Sequence, residues 1–365
     1  MHVRSRKWIS ICLVAFLGNT AGFQASKGNY GQDLQSRKGE DPIVLSEEDK
    51  AQLIETLRLK KSFGPSIWPG FSEAEIPLIL YNEGDAFLIG HPSPPPTWIP
   101  VDNDSFQEKI YYRRDGTGFQ AFAVLVGELW AASLDTLGSM NRSMREQLRE
   151  NIPPEKLTPV MLKTMEVTPA YHAVALLHEA FHAFQALQDR DRFQRAQKMY
   201  ALEKLYPFED EAFNSLWDAE GNWLVSALRE QDGAKRLEMI GRFLDVRAER
   251  RSKASLAEDL VIFERELEWL EGSAKYVEMQ FAVLASAGQE AAGSKAYRVV
   301  RNRLQADFSY RIKKLGGLEG DLRFYLSGAA QAMILDKVYP GWKKHVFSQE
   351  NTALEDLLQS ALENK

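Results

Sequence analysis

The segment over residues 176–184, LLHEAFHAF, constrains the fold more than any other part of this sequence. It lies inside a longer stretch, 159–190, whose apolar residues recur at helical spacing. Apart from its histidines, Glu179 is the only ionisable side chain in the segment, and no proline interrupts it. A helix of this composition would expose a broad apolar surface if it lay outside, so the chain must build a core around it.

Two histidines of this segment, His178 and His182, are four residues apart. On an α-helix they project from one face, so both imidazoles can bind one tetrahedral metal ion. Glu179 is turned about 100° from His178 around the helix, so it can reach a water beside the metal without being a ligand. The alternative is a surface helix with two coincidental histidines, and the apolar flanks argue against it.

A zinc site of this kind needs a third protein ligand. The extended motif HExxHxxGxxH is absent, because Gln185 and Gln188 stand at its glycine and third-histidine positions. This excludes the metzincin class. A carboxylate further along the chain is the other solution.

Three downstream glutamates are candidates for that ligand: Glu203, Glu220 and Glu271. We favour Glu271, because the small residues Gly272 and Ala274 let its helix approach the histidine helix closely. Glu203, 21 residues after the second histidine, has a more usual spacing but lacks the accompanying sequence context. Glu220 has an adjacent glycine only. Both remain open as replacements for Glu271.

The pattern His178-Glu179-x-x-His182, followed by EGSAKY from Glu271, resembles the gluzincin metallopeptidases. In that group two helix histidines and a glutamate from a later helix bind zinc. The resemblance covers well under a quarter of the chain. It implies a zincin-like α+β fold, Zn²⁺ as the cofactor, and His178, His182 and Glu271 as its ligands.

A second segment, YLSGAAQAMILD from Tyr325, is similar to a region of certain gluzincin aminopeptidases. The similarity implies that Tyr325 donates to the oxyanion that develops during catalysis, and Tyr276 is the substitute for that role. The aminopeptidase motif GxMEN, which holds the substrate amine, is not found upstream of His178. Aminopeptidase activity therefore does not follow from the resemblance.

The function that we expect is zinc-dependent hydrolysis of peptide bonds in a peptide or protein substrate, with Glu179 as general base. Two other classes fit the same motif. One is a non-catalytic exported protein that keeps the zincin scaffold as a binding module. The other is a zinc hydrolase of non-peptide amides or esters. The sequence leaves open the substrate, endo- or exopeptidase cleavage, and the oligomeric state.

The pattern along the chain predicts a β-containing N-terminal part and a predominantly α-helical C-terminal part. Region 46–153 begins with a helix near 47–61 and continues with three or four strands between residues 76 and 129, separated by turn sequences. Region 154–365, which contains the zinc-binding motif, is helical almost throughout. We expect helices at 159–190, 209–231, 233–251, 255–286, 291–314, 322–338 and 351–363.

The first 25 residues have the pattern of a signal peptide, with a basic start and an apolar stretch at 8–18. We therefore expect an exported protein, periplasmic or secreted, without a stable membrane span after cleavage. The only cysteine, Cys12, lies in this segment. Residues 26–45 are polar and glycine-rich and predict a flexible lead-in.

The charge balance argues against a nucleic-acid partner. The chain has 45 basic and 51 acidic residues, a net charge of −6, and a phosphate backbone requires a basic surface. A basic cluster at Arg247, Arg250 and Arg251 is expected to be a solvated helix face. His172 is expected to serve in packing, and no role is assigned to His91 or His345.

Overall fold

The computed structural model describes residues 43–363, apart from 117, 289, 290 and 349–351. The expected signal peptide and nearly all of the expected lead-in lie outside the described residues. None of the helices in the described part is both long and apolar enough to cross a membrane.

In the described part of the chain, the elements up to residue 151 are one helix, six strands and a second helix. They are α1 (Glu47–Ile67), β1 (Leu78–Tyr81), β2 (Asp85–Ile89), β3 (Ile99–Pro100), β4 (Tyr112–Asp115), β5 (Phe122–Val126), β6 (Leu129–Asp135) and α2 (Leu137–Asn151).

The six strands form one mixed sheet in the order β3-β4-β2-β1-β6-β5. Only β1 and β6 run parallel, and the other neighbouring pairs are antiparallel. The last part of the region in which strands were expected is a hairpin, because Gly127, at φ +61°, turns β5 back into β6. The sheet thus has more strands than the sequence pattern indicated, and α2 was not expected at all.

Helices dominate the rest of the described chain. They are α3 (Pro159–Met165), α4 (Pro169–Gln188), α5 (Arg190–Met199), α6 (Glu211–Arg229), α7 (Gly233–Lys253), α8 (Glu258–Leu267), α9 (Ser273–Ala287), α10 (Ala291–Arg311), α11 (Leu322–Val338), α12 (Trp342–Ser348) and α13 (Leu354–Glu363). Short 3-10 helices lie at Pro154–Lys156, Tyr200–Leu205 and Ile312–Gly317, and a π-helical turn at Glu268–Gly272 joins α8 to α9. The α+β class is confirmed.

The helix α4 is the centre of the core, as its composition predicts. Every residue from Ala170 to Ala186 is buried. The helix begins after Thr168, whose hydroxyl caps it, and at Pro169, which favours the first helical position. These two residues divide the single helix that was expected over 159–190. Strands β5 and β6 pack on one side, and aromatic rings from the segment after α1 pack on another.

The π-helical turn lies against α11 at a contact between two glycines. A Cβ placed on Gly272 would lie 2.5 Å from the Cα of Gly328. A Cβ on Gly328 would lie 2.5 Å from the carbonyl oxygen of Glu268. Only glycine permits backbones to approach this closely. The small residues around Glu271 led us to expect a close approach to the histidine helix, whereas Gly272 makes its close approach to α11.

Candidate metal centre

Three side chains from two distant segments converge in the core: His178 and His182 of α4 and Glu271 of the π-helical turn. One ligand atom from each lies within 4.8 Å of the others. The two Nε2 atoms are 3.1 Å apart, and Oε2 of Glu271 lies 3.2 Å from Nε2 of His182 and 3.7 Å from Nε2 of His178. Each of the three residues is at most 1% exposed.

The orientation of His182 is fixed by Gln185, one turn further along α4. The Gln185 amide nitrogen donates to the carbonyl oxygens of Trp269 and Leu270, at 2.9 and 3.0 Å. Its Oε1 atom must therefore accept from Nδ1 of His182, at 2.8 Å. With the proton on Nδ1, the Nε2 lone pair of His182 points to the centre of the group, as a metal ligand requires.

The orientation of His178 is likewise fixed by a partner at its Nδ1 atom, in this case a carboxylate. Its Nδ1 lies 3.2 Å from Glu278 of α9, and Glu278 in turn binds Lys275 at 2.9 and 3.0 Å. Burial lowers the pKa of His178, but the neighbouring carboxylates of Glu271 and Glu278 outweigh it and raise the pKa to about 9. A metal ion that binds here at neutral pH must replace a proton.

The two oxygens of the Glu271 carboxylate have different partners. Oε1 accepts a hydrogen bond from the hydroxyl of Tyr200. Oε2 faces the two histidines and makes no hydrogen bond with any described residue. Burial raises the pKa of Glu271, yet the neighbouring His182 and His178 hold it well below its usual range. The carboxylate is therefore ionised, with one oxygen fixed and the other directed at the centre.

Glu179 differs from its neighbours because neither of its carboxylate oxygens has a hydrogen-bond partner among the described residues. The side chain is completely buried, and burial raises its pKa well above the usual range. A buried carboxylate without partners is costly. A cation and an ordered water beside it would supply what this carboxylate lacks.

The two candidate tyrosines lie in different environments. The ring of Tyr325 stacks on the ring of His178, with centroids 6.0 Å apart and planes 14° from parallel. Its pKa is raised well above the usual range, first by burial and then by the charge of the Glu271 carboxylate. Tyr276 instead donates to Asp336 at 2.6 Å. The structure thus brings Tyr325, and not Tyr276, to the ligand group.

The two alternative third ligands lie elsewhere. Both oxygens of Glu220 accept from arginines, at 2.9 Å from Arg247 and 2.5 Å from Arg250. Glu203 lies in the 3-10 helix before α6, where its Oε1 is 3.4 Å from the position of a Cβ on Gly320. Neither belongs to the ligand group.

The expectation of a solvated face at the arginine cluster is wrong. Arg247 and Arg250 are 2% and 0% exposed, because glutamates of other helices surround them. His172 is buried in α4, and its Nε2 donates to the carbonyl oxygen of Asp135 at 2.8 Å, which agrees with the expected packing role. Tyr200 was missed, since a single tyrosine in a polar stretch carries no signal for a ligand's partner.

Two imidazole nitrogens and one carboxylate oxygen, each oriented by a further hydrogen bond, form a group that could bind a metal ion. The orphaned oxygens of Glu179 and Glu271 fit such an ion. Comparisons with protein-family models, with curated proteins and with solved structures find no match to this chain.

Proposed function

We propose that this chain is a zinc-dependent peptidase with a zincin-like arrangement of α4, the sheet and the π-helical turn, and that it acts after export. The single observation that carries the proposal is Glu179. Its partnerless carboxylate follows directly after a metal ligand on the same helix, which is the place of a general base in this chemistry.

The choice of zinc follows from the ligand types. Two neutral imidazoles and one carboxylate suit zinc in catalytic sites, where three protein ligands leave a further position open. His178, His182 and Glu271 would hold it. Zinc, when bound, supplies a Lewis acid that polarises the scissile carbonyl and lowers the pKa of water.

The residues of the chain then have separate tasks. Glu179 takes the proton of the attacking water and delivers it to the nitrogen of the leaving amine. Tyr325, stacked on His178, donates its hydroxyl proton in a hydrogen bond to the oxyanion that develops on the scissile carbonyl.

A peptide is the favoured substrate because a sheet edge lies beside the ligands. Strand β5 ends the sheet and, among the described residues, pairs only with β6. The ring of Phe122, the first residue of β5, is 4.5 Å from the ring of His182. An extended peptide that adds to this edge by backbone hydrogen bonds would therefore pass next to the metal centre.

The burial of the ligands favours a second candidate function, a non-catalytic metal-binding module. His178, His182 and Glu271 are at most 1% exposed, and closed metal sites are typical of structural zinc. The two candidates differ in what Glu179 does. In a binding module its carboxylate has no task, whereas in a peptidase its loss abolishes turnover.

The deciding experiment compares the wild-type protein with Glu179→Gln. Zinc content is measured by mass spectrometry after dialysis, and activity by digestion of a degenerate peptide library. We expect one zinc per chain in both, with turnover reduced by about 10²–10⁴-fold in the variant. Glu249→Gln, at an exposed position of α7, is the matched control and should change neither quantity.

The outcomes separate the two candidates. Stoichiometric zinc in a wild-type protein that leaves the library intact would refute the peptidase and support the binding module. A wild-type protein without zinc would refute both. Glu271→Ala should lose stoichiometric zinc while Glu203→Ala keeps it; the reverse result would overturn the ligand assignment.

A further inference from the structure

A buried network of charges lies next to the metal centre and is not explained by the proposed chemistry. Arg247 of α7 is surrounded by three glutamates that come from three different elements. It donates to Glu220 at 2.9 Å, to Glu355 at 2.7 Å, and to both oxygens of Glu268 at 2.6 and 2.8 Å. All four residues are at most 5% exposed.

Glu268 is the member of this network that lies closest in the chain to the candidate metal centre. It is the first residue of the π-helical turn, three positions before the third ligand. Besides the two bonds from Arg247, it accepts one from the hydroxyl of Ser327 at 2.6 Å. Its side chain is therefore held by a fork-shaped, charge-assisted contact with fixed geometry.

The turn is fastened at three places in total. Arg247 holds its start through Glu268, Gln185 holds the carbonyl groups in its middle, and the contact of Gly272 with Gly328 holds its end. Glu271 lies between these points. Because π-helical turns are rare and often occur at functional sites, such fastening indicates that the turn must keep one shape.

Stability alone does not account for the buried arginine. Removing two charges from water costs several kcal/mol per ion, and well-packed apolar side chains of similar volume often stabilise a fold equally well. What a bidentate ion pair adds is a defined position for both partners.

We propose that Arg247 and Glu268 are positioning residues for the third metal ligand. Arg247, itself fixed by Glu220 and by Glu355 of the C-terminal helix, holds the π-helical turn so that Glu271 points at the two histidines. The inference rests on the proposed metal site. If Arg247 and Glu268 have this role, the affinity for the metal depends on their ion pair, which contacts neither the metal nor its ligands.

The test is the zinc affinity of Glu268→Gln, measured by competition with a chromophoric chelator. The substitution keeps the shape of the side chain and removes its charge. We expect the dissociation constant to rise by about 10–100-fold, the usual effect of losing a partner that orients a ligand. Urea unfolding in EDTA, recorded in parallel, establishes that the variant is folded under the titration conditions.

Glu264→Gln is the matched control. Glu264 is equally buried and belongs to the same network, where it binds Arg250 at 2.6 and 3.0 Å, but it lies in α8 outside the turn. Glu264→Gln should lower the free energy of unfolding about as much as Glu268→Gln does, and should leave the zinc affinity within about threefold of the wild type. Ser327→Ala, which removes one hydrogen bond to Glu268, should weaken zinc binding severalfold and serves if Glu268→Gln does not fold.

Each result has one meaning. Wild-type zinc affinity in Glu268→Gln, or in Ser327→Ala if only that variant folds, would overturn the positioning role and leave the proposed function standing. An equal loss of affinity in Glu264→Gln would show that the network acts only as a general scaffold, which also overturns it. If the wild-type protein binds no zinc, the proposed function fails and the inference fails with it.

Discussion

The glycine contact under the third ligand makes Gly272→Ala the sharpest probe of this structure. The backbone of Gly272 is helical, at φ −65° and ψ −39°, so an alanine fits the local conformation without strain. The added Cβ, however, would lie 2.5 Å from the Cα of Gly328 and 2.8 Å from its carbonyl carbon. The whole penalty is therefore steric, and both atoms that it meets are backbone.

The size of the effect follows from these distances. An ordinary contact of a Cβ begins at 3.4 Å, so the π-helical turn and α11 must separate by about 1 Å. Overpacking of this kind costs about 1–3 kcal/mol, against a gain of about 0.5–1 kcal/mol from replacing a helical glycine by alanine. A shift of about 1 Å also exceeds the tolerance of about 0.2 Å in zinc–ligand distances.

The assay combines urea unfolding of the metal-free protein with a zinc titration. Gly241→Ala in α7 is the matched control, since its Cβ would meet its nearest neighbour, Leu362, only at 4.0 Å. The control should be stabilised by about 0.5–1 kcal/mol and bind zinc as the wild type does. If Gly272→Ala behaves like Gly241→Ala in both measurements, the close approach of the turn to α11 does not position Glu271, and the reasoning is refuted.

Three further predictions concern separate contacts. Gln185→Leu deprives Nδ1 of His182 of its acceptor, so chelator competition should show zinc affinity reduced by about 10–100-fold, and an unchanged affinity would contradict the tautomer assignment. Burial lowers the pKa of Lys60 to about 8. Between pH 8 and about 10.4 the unfolded chain binds a proton at Lys60 that the folded chain does not. The free energy of unfolding of the wild type should therefore rise with pH in this window by up to about 3 kcal/mol more than that of Lys60→Met. Equal pH slopes of the two unfolding free energies, measured by urea titration, would disprove the lowered pKa. Tyr325→Phe should lower kcat on a peptide substrate by about 100-fold with little change in KM, whereas Tyr276→Phe should lower the melting temperature without lowering kcat; the opposite pattern would exchange their roles.

The position of α4 in the core was predictable, because a helix of this composition is stable only when it is buried on all sides. Seventeen consecutive buried residues, from Ala170 to Ala186, correspond to a stretch in which only Glu179 and three histidines can be charged. The small residues around Glu271 indicated a close approach to the histidine helix, but Gly272 makes its close approach to α11 instead. Local sequence thus indicates that a segment is buried or closely packed, since both demand particular residue types, but it does not indicate which helix is the neighbour.

Other features depend on partners that are distant in the chain. Strand β6 forms a hairpin with β5, but it also pairs in parallel with β1, about fifty residues earlier. The burial of Arg247 depends on carboxylates up to 108 positions away in sequence. Tyr200 contacts Glu271 across 71 positions. Spacing patterns within one helix contain no information about such pairs.

The sealing of the ligands has a kinetic consequence. With His178, His182 and Glu271 at most 1% exposed, a chelator, a competing ion or a peptide substrate reaches the centre only when the surrounding structure opens. Exchange must wait for an opening of the surrounding structure, so its rate would become independent of chelator concentration and would increase in mild denaturant. A protein built this way would exchange its metal slowly, at a rate set by that opening.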